Sequence, residues 1–427
     1  MGARAGVMLG LLVVGAAGLH CGPSSSGGRS GLLGAPSQGG EQSPTDAGTD
    51  GGSASACRDL LPGEPGAPVI YRSEFVPPHD VGETSTTDQQ GNVLVAVSTH
   101  FDLVELFILD PAGVLLSHPP EATGASSFGR AAIGVAEGFI GVQNIDSASF
   151  GEFPSHRVLK LFPDGGTKQT AFDTGLGSQG EDPRGGMVVL VSETKTLTAY
   201  DQDLEPRWET QLPITDWNPV SNALRLPVGV DTGRNSLVLF PHDPSAPGAG
   251  VMGIWTDSQG HPGAVFDTGQ SGPPSCLRFT TSLTGGLYLQ NLGCAPHQDT
   301  PGKFVSSFQP LDQDPGPVPE WLGQRPGIEL RPIRGGAGYA AIGGPAGPGA
   351  CLIEVLTPDG HSCGHVDFER SVAGSAFRRG SNAGPSSRIF CDLSVGPDGT
   401  VIARTEEVEP TQGLLRFNWH WWPAFFR

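Results

Sequence analysis

Charge is scarce in this chain, and positive charge scarcest of all. Asp, Glu, Lys and Arg make 16% of the 427 residues, below the quarter or so usual in soluble domains. The 25 basic residues face 44 acidic ones, for a formal net charge of −19. Such a surface repels phosphate backbones, which argues against nucleic acid as a partner, and keeps an exported protein soluble. Helical periodicity is also missing. No stretch of the body places apolar residues at i, i+3, i+4 and i+7 over three turns, which excludes a helical solenoid. Nor is any apolar run beyond the first twenty residues long enough to cross a bilayer as a helix.

What is abundant is Gly, with 64 residues, and Pro, with 39. They punctuate short apolar runs, as expected of an all-β chain with many turns. At the N-terminus Arg4 precedes a short apolar stretch, Val7–Leu19, too short to span a membrane and suited to a signal peptide over residues 1–20. Residues 21–56 hold almost no large apolar side chains beyond Leu32 and Leu33, so they are expected to form a flexible Gly/Ser/Pro-rich tether. The folded body is expected over residues 57–427.

Gly18-Leu19-His20-Cys21 resembles the lipobox of bacterial lipoproteins, in which the Cys is lipidated and becomes the first mature residue. His20 departs from that pattern, where a small residue normally stands. Cleavage near Gly15-Ala16-Ala17 is the alternative. The resemblance implies a lipid anchor at Cys21, and Gly22 in place of Asp leans towards the outer membrane. A secreted or periplasmic protein is the other outcome.

The body repeats itself. Short apolar strands led by a Gly or Asn turn begin near residues 91, 138, 186, 235, 286, 338 and 399, with gaps of 47, 48, 49, 51, 52 and 61. Each of the first six is followed by a second strand running into an acidic or Gly turn, such as Leu106–Gly113, Val158–Gly166 and Leu197–Asp203. The seventh ends in Leu414–Trp419 instead. Seven units of about 50 residues, each with about four short strands, predict a β-propeller. A two-domain β-sandwich is the competing fold. Leu197-Thr198-Ala199-Tyr200-Asp201, followed by Leu204 and Arg207-Trp208, is similar to the repeat of quinoprotein-like (PQQ-repeat-like) propellers. The resemblance implies the scaffold and says almost nothing of a quinone cofactor.

Besides Cys21 there are six cysteines, an even set in an exported chain, with fifteen formal pairings. The unit boundaries point to Cys276–Cys294 and Cys351–Cys363 as local pairs, leaving Cys57–Cys391 to tie the first unit to the last.

Motifs that resemble chemical sites read better as turns. Gly360-His361-Ser362-Cys363-Gly364 fits G-x-S-x-G, but a repeat turn precedes it and a strand follows, where a nucleophile elbow needs a helix. Gly248–Gly253 fits G-x-G-x-x-G and leads into a strand, not the helix that phosphate binding requires. His361, Cys363, His365 and Asp367 alternate on what reads as a hairpin, with the Cys committed to a disulfide. Asp201-x-Asp203-x-Glu205 and Asp312-Gln313-Asp314 lack the Gly and closing Glu of a calcium loop. No catalytic, cofactor or metal residue is assigned. The tail carries Trp419, Trp421 and Trp422, which either face a partner as an aromatic platform or wedge against the first unit to close the ring. The expected function is an envelope-anchored or secreted propeller that binds a protein or glycan. The alternative is a propeller enzyme, a glycan lyase or hydrolase or a quinoprotein-type dehydrogenase.

Overall fold

The computed structural model describes residues 51–75, 83–100, 103–119, 122–123, 132–145, 155–171, 173–215, 226–242, 250–292, 302–325, 327–343, 351–373, 391–409 and 414–427. Cys21, the leader, most of the expected tether and Cys294 lie outside them. The described chain folds into seven antiparallel sheets, and the protein is a seven-bladed β-propeller. From the axis outwards, blade 1 is Glu83–Thr87, Val93–His100, Leu103–Leu109 and Leu115–Ser117. Blade 2 is Ile133–Gly134, Phe139–Ile145, Ser155–Leu161 and Thr167–Gln169. Blade 3 is Gly177–Glu181, Met187–Val191, Thr196–Tyr200 and Pro206–Gln211. Blade 4 is Val228–Val230, Ser236–Pro241, Gly250–Thr256 and Pro262–Ser271.

Blade 5 has three strands among the described residues, Leu277–Thr281, Leu287–Asn291 and Lys303–Phe308. In its outer position the chain makes only a single bridge, Ser307 to Gly316, and then a short helical turn, Glu320–Gly323. Blade 6 is Glu329–Ile333, Gly338–Ile342, Leu352–Leu356 and Ser362–Asp367. Blade 7 combines Cys391–Val395, Val401–Glu409 and Leu414–Trp422 with Val69–Phe75, the earliest strand in sequence, as its outer member.

The apolar runs are the second strand of each blade, and they run continuously because both of their faces are buried. In blade 1, Val93, Val95 and Val97 pack against Ile402, Trp419 and Trp421 of blade 7, while Leu94 and Ala96 pack against Phe139, Leu159 and Leu161 of blade 2. Seven such clusters occupy the seven junctions between neighbouring blades. Each fully buried Val or Leu contributes roughly 1.5–3 kcal/mol. The inner strands instead carry Gly where backbones nearly touch: a Cβ at Gly134 would collide with the Thr87 carbonyl, and one at Gly180 would stand 2.7 Å from the Val228 carbonyl oxygen.

Closure is by strand pairing. Val69 lies opposite Trp421 and Tyr71 opposite Trp419, and the three tryptophans are 0%, 0% and 4% exposed. The Trp421 indole N–H donates to the Pro111 carbonyl (3.0 Å) and that of Trp422 to the Gly66 carbonyl (2.9 Å). Of the two expectations for the tail, ring closure is the one the structure adopts. As core residues, Trp419, Trp421 and Trp422 offer no platform to a partner.

The disulfides depart from the expected pairing. Cys57 bonds Cys363 across 306 residues, which corrects both Cys57–Cys391 and Cys351–Cys363. The hairpin geometry explains why. The Phe368 N–H bonds the Cys351 carbonyl at one end of the hairpin, whereas Cys363 sits at the other end, next to the Gly364–Val355 pair. About four residues of strand, roughly 13 Å, therefore separate the two cysteines. Cys57 lies instead on helix α1 (Gly51–Leu60), whose Leu60 enters the core between blades 6 and 7. That helix starts inside the span expected to be tether. Cys276 and Cys351 are also disulfide-bonded. Cys294, the expected partner of Cys276, lies outside the described residues, as does the side chain of Cys391.

Candidate functional site

The inner strands bring charge into the central channel. The last residue of the blade 3 inner strand is Glu181, the second of blade 5 is Arg278, and the first and third of blade 6 are Glu329 and Arg331. Arg331 Nε donates to Glu329 Oε1 at 2.7 Å, and its terminal nitrogen reaches Glu181 Oε2 at 3.4 Å. Blades 3 and 6 stand three steps apart in a ring of seven, so this second link crosses the axis. Arg278 reaches Glu329 Oε2 at 3.5 Å and donates to Gln290 Oε1 at 2.9 Å. Gln290 is fixed in turn by the carbonyls of Gly302 and Ile328, at 2.9 and 2.8 Å.

These side chains keep between 32% and 49% of their surface open to channel water although protein surrounds them. Burial pushes the Glu329 carboxyl up, but Arg331 and Arg278 outweigh it and hold that group below its ordinary range. Glu329 holds the Arg331 guanidinium above its ordinary value, against the opposing effect of desolvation, and Glu181 adds to the effect. Within the cluster, Glu329 and Arg331 thus each favour the charged form of the other.

A second set of buried charges fastens the turn-bearing end of the ring. The turns between first and second strands hold Asp88, Asp182, Asp231 and Asp398, all buried. Asp88 Oδ2 accepts from the Gly138 N–H of blade 2 at 3.0 Å, and Asp398 Oδ1 accepts from the Thr87 hydroxyl of blade 1 at 2.6 Å. Asp182 Oδ2 lies 2.9 Å from Arg207 and 3.1 Å from Arg234 of blade 4. Asp88, Asp182 and Asp398 each tie one blade to its neighbour, whereas Asp231 bonds Asn235 within blade 4.

The motif candidates resolve into the same architecture. Asp201 Oδ1 accepts from the backbone of Asp203 and Glu205, at 2.8 and 2.9 Å, closing a turn. Asp203 and Glu205 face Lys160 and Lys168 of blade 2, at 2.8 and 2.6 Å. Asp312 closes a turn on the Asp314 N–H at 3.1 Å, and its carbonyl accepts from the Trp255 indole at 2.7 Å. The G-x-S-x-G segment is a turn, Thr357–His361, running into a strand, with its Cys363 in the disulfide to Cys57. The G-x-G-x-x-G segment enters the strand Gly250–Thr256.

The second strands carry no sign of the channel cluster. Its residues lie one strand earlier in each unit, on short segments such as GSQGE and ELRPI that carry no run of apolar side chains.

No protein-family model matches the chain, and no curated protein does. Solved structures match in fold. The β-propeller domain of the Trilobed protease from Pyrococcus furiosus shares 8% identity over 81% of this chain and 98% of its own, with a TM-score of 0.42. A streptogramin B lyase shares 12% over 82% and 97%, at 0.37. A catalytically inactive virginiamycin B lyase from Staphylococcus aureus, with quinupristin, shares 10% over 82% and 99%, at 0.38. At such identities the likeness is one of propeller architecture alone.

Proposed function

We propose that this protein is an envelope-anchored β-propeller that binds a protein or glycan partner and catalyses no reaction. The anchor is a lipidated Cys21, the tether is the segment that follows it, and the outer membrane is the site of attachment. The observation that carries the non-catalytic reading is the state of the channel cluster. General acid–base work needs a group whose pKa lies near the operating pH. In the channel, Glu329 is driven below its ordinary range and Arg331 above its own, so the groups are moved away from neutrality. Among the described residues, this ionisable cluster on the axis serves to cross-tie opposite blades.

Binding is tested by sedimenting the purified full-length chain with outer-membrane and cell-wall fractions of the producing cell. Saturable retention, competed by excess unlabelled protein, is the expected outcome; absence of saturable retention in every fraction would refute the proposal. Mass analysis of the mature N-terminus tests the anchor separately. An unmodified start upstream of Cys21 sinks it.

A further inference from the structure

We propose that the cavity between blades 5 and 6 binds one neutral sugar residue of a glycan. This deepens the binding-module reading and rests on it.

The cavity exists because blade 5 breaks the repeat. Where other blades place a fourth strand, the chain after Phe308 makes a single bridge and then crosses towards blade 6. The space left open measures about 310 Å³, at the lower end of the range for small-molecule pockets, ~300–1,000 Å³. Its walls include Trp321 and Tyr288, with Ser282, Thr284, Ser307 and Asp359 among the polar groups.

That composition selects among ligand chemistries. The lining contains no Lys, Arg or His, so nothing there neutralises a phosphate or carboxylate. Asp359 accepts from the Thr357 hydroxyl, which holds its carboxyl below the ordinary range, so at neutral pH it is an ionised acceptor. An ionised acceptor and three hydroxyls beside aromatic walls suit a ligand with many hydroxyl donors and one apolar face, which describes a neutral sugar ring. Ser282 and Thr284 bond one another through their hydroxyls at 2.7 Å, and Ser282 Oγ also accepts from the Thr284 N–H at 3.1 Å, so the lone pair left for a ligand whichever hydroxyl donates is on Thr284.

The frame is rigid, so little ordering is needed on binding. Arg325 clamps the crossing segment to Glu354 of blade 6 with two bonds, at 3.0 and 3.1 Å, and donates to the Trp321 carbonyl at 2.6 Å. The Trp321 ring rests on Gly360, where a Cβ would collide with it. Tyr288 and Trp321 meet edge to face with centroids 6.4 Å apart.

The test is saturation-transfer NMR on the full-length protein with glucose, galactose, mannose and N-acetylglucosamine, and with cellotetraose and chitotetraose. Thr284→Lys, at an exposed position, fills the cavity, and Asp359→Asn removes the charged acceptor while keeping the turn. Saturable transfer from at least one sugar is expected, unaffected by added salt and weakened at least about tenfold in both variants. Circular dichroism identical to that of the parent shows that the variants fold. Failure of every sugar, while the protein still saturates an envelope fraction, overturns this site and leaves the binding module standing. Sugar binding that survives both substitutions also overturns it, as does preferential binding of a Pro-rich peptide. Loss of every envelope interaction overturns the module itself.

Discussion

The turn between third and fourth strands of one blade carries the ring of its neighbour's tryptophan, and that contact is open to a quantitative test. Gly260 of blade 4 has φ +89°, and a Cβ built on it would stand 3.0 Å from Cδ2 and Cγ of Trp208 and 3.1 Å from its Cβ. Gly260→Ala therefore costs in two separable ways. The left-handed backbone alone costs an L-residue about 1–2 kcal/mol. Crowding the indole by a few tenths of an ångström adds about 1–2 kcal/mol, within the range for overpacked sites. Trp208→Ala by itself removes a partly buried indole, at about 2–3 kcal/mol. In the Trp208→Ala background, however, the crowding disappears and Gly260→Ala should cost only the backbone share. The double-mutant cycle, measured by urea unfolding with circular dichroism, should return a coupling of about 1–2 kcal/mol. Equal costs of Gly260→Ala in both backgrounds would refute the docking argument and reduce Gly260 to an ordinary turn glycine.

His420 is 1% exposed, bonds Thr405 at 3.2 Å, and is held down to about 4 by burial and then by Arg72, from 6.5. The unfolded chain then binds the extra proton first, so stability is full above pH 6.5 and falls by about 3 kcal/mol as pH drops towards 4. His420→Gln should flatten that part of the pH–stability curve; an unchanged slope contradicts the assignment. Removing the disulfide as Cys57→Ser/Cys363→Ser should lower stability by about 6 kcal/mol in the loop-entropy model, and equilibrium denaturation under oxidising conditions should show no loss if α1 is only loosely docked. Asp182→Ala strips two guanidiniums of a buried partner and should cost about 3 kcal/mol, whereas Glu181→Gln, half open to channel water, should cost under about 1 kcal/mol. Reversed order in the same assay would undo the ranking.

Particular residues show why some of this was legible. VLVAV, MVVLV and LVLF announce themselves because both faces of these second strands are buried in apolar clusters against neighbouring blades. Their even spacing gave seven units, and seven blades are what fold. The inner strands announce nothing. Crowding at the axis demands Gly at 134 and 180, and these strands are only two to five residues long, so buried residues such as Val228, Leu330 and Leu393 form no apolar run long enough to stand out. The charged cluster therefore fell at a phase of the repeat that periodicity does not reveal. Spacing does not reveal the disulfide, because closeness in sequence is not closeness in space: Cys351 and Cys363 occupy opposite ends of one hairpin. The tail was legible only as a pair of alternatives, and burial decided between them.

The borrowed outer strand of blade 7 also sets an order of events. Val69–Phe75 leaves the ribosome early and cannot pair until Leu414–Trp422 arrives, after six blades have been made. In the interval its edge is unsatisfied, and the last junction, with Trp419 and Trp421, does not yet exist. A product cut short before Leu414 keeps an open seam and an unpaired strand, the state that proteases and chaperones recognise. Ring closure thus acts as a receipt for a complete propeller, issued only when both of its end strands are present.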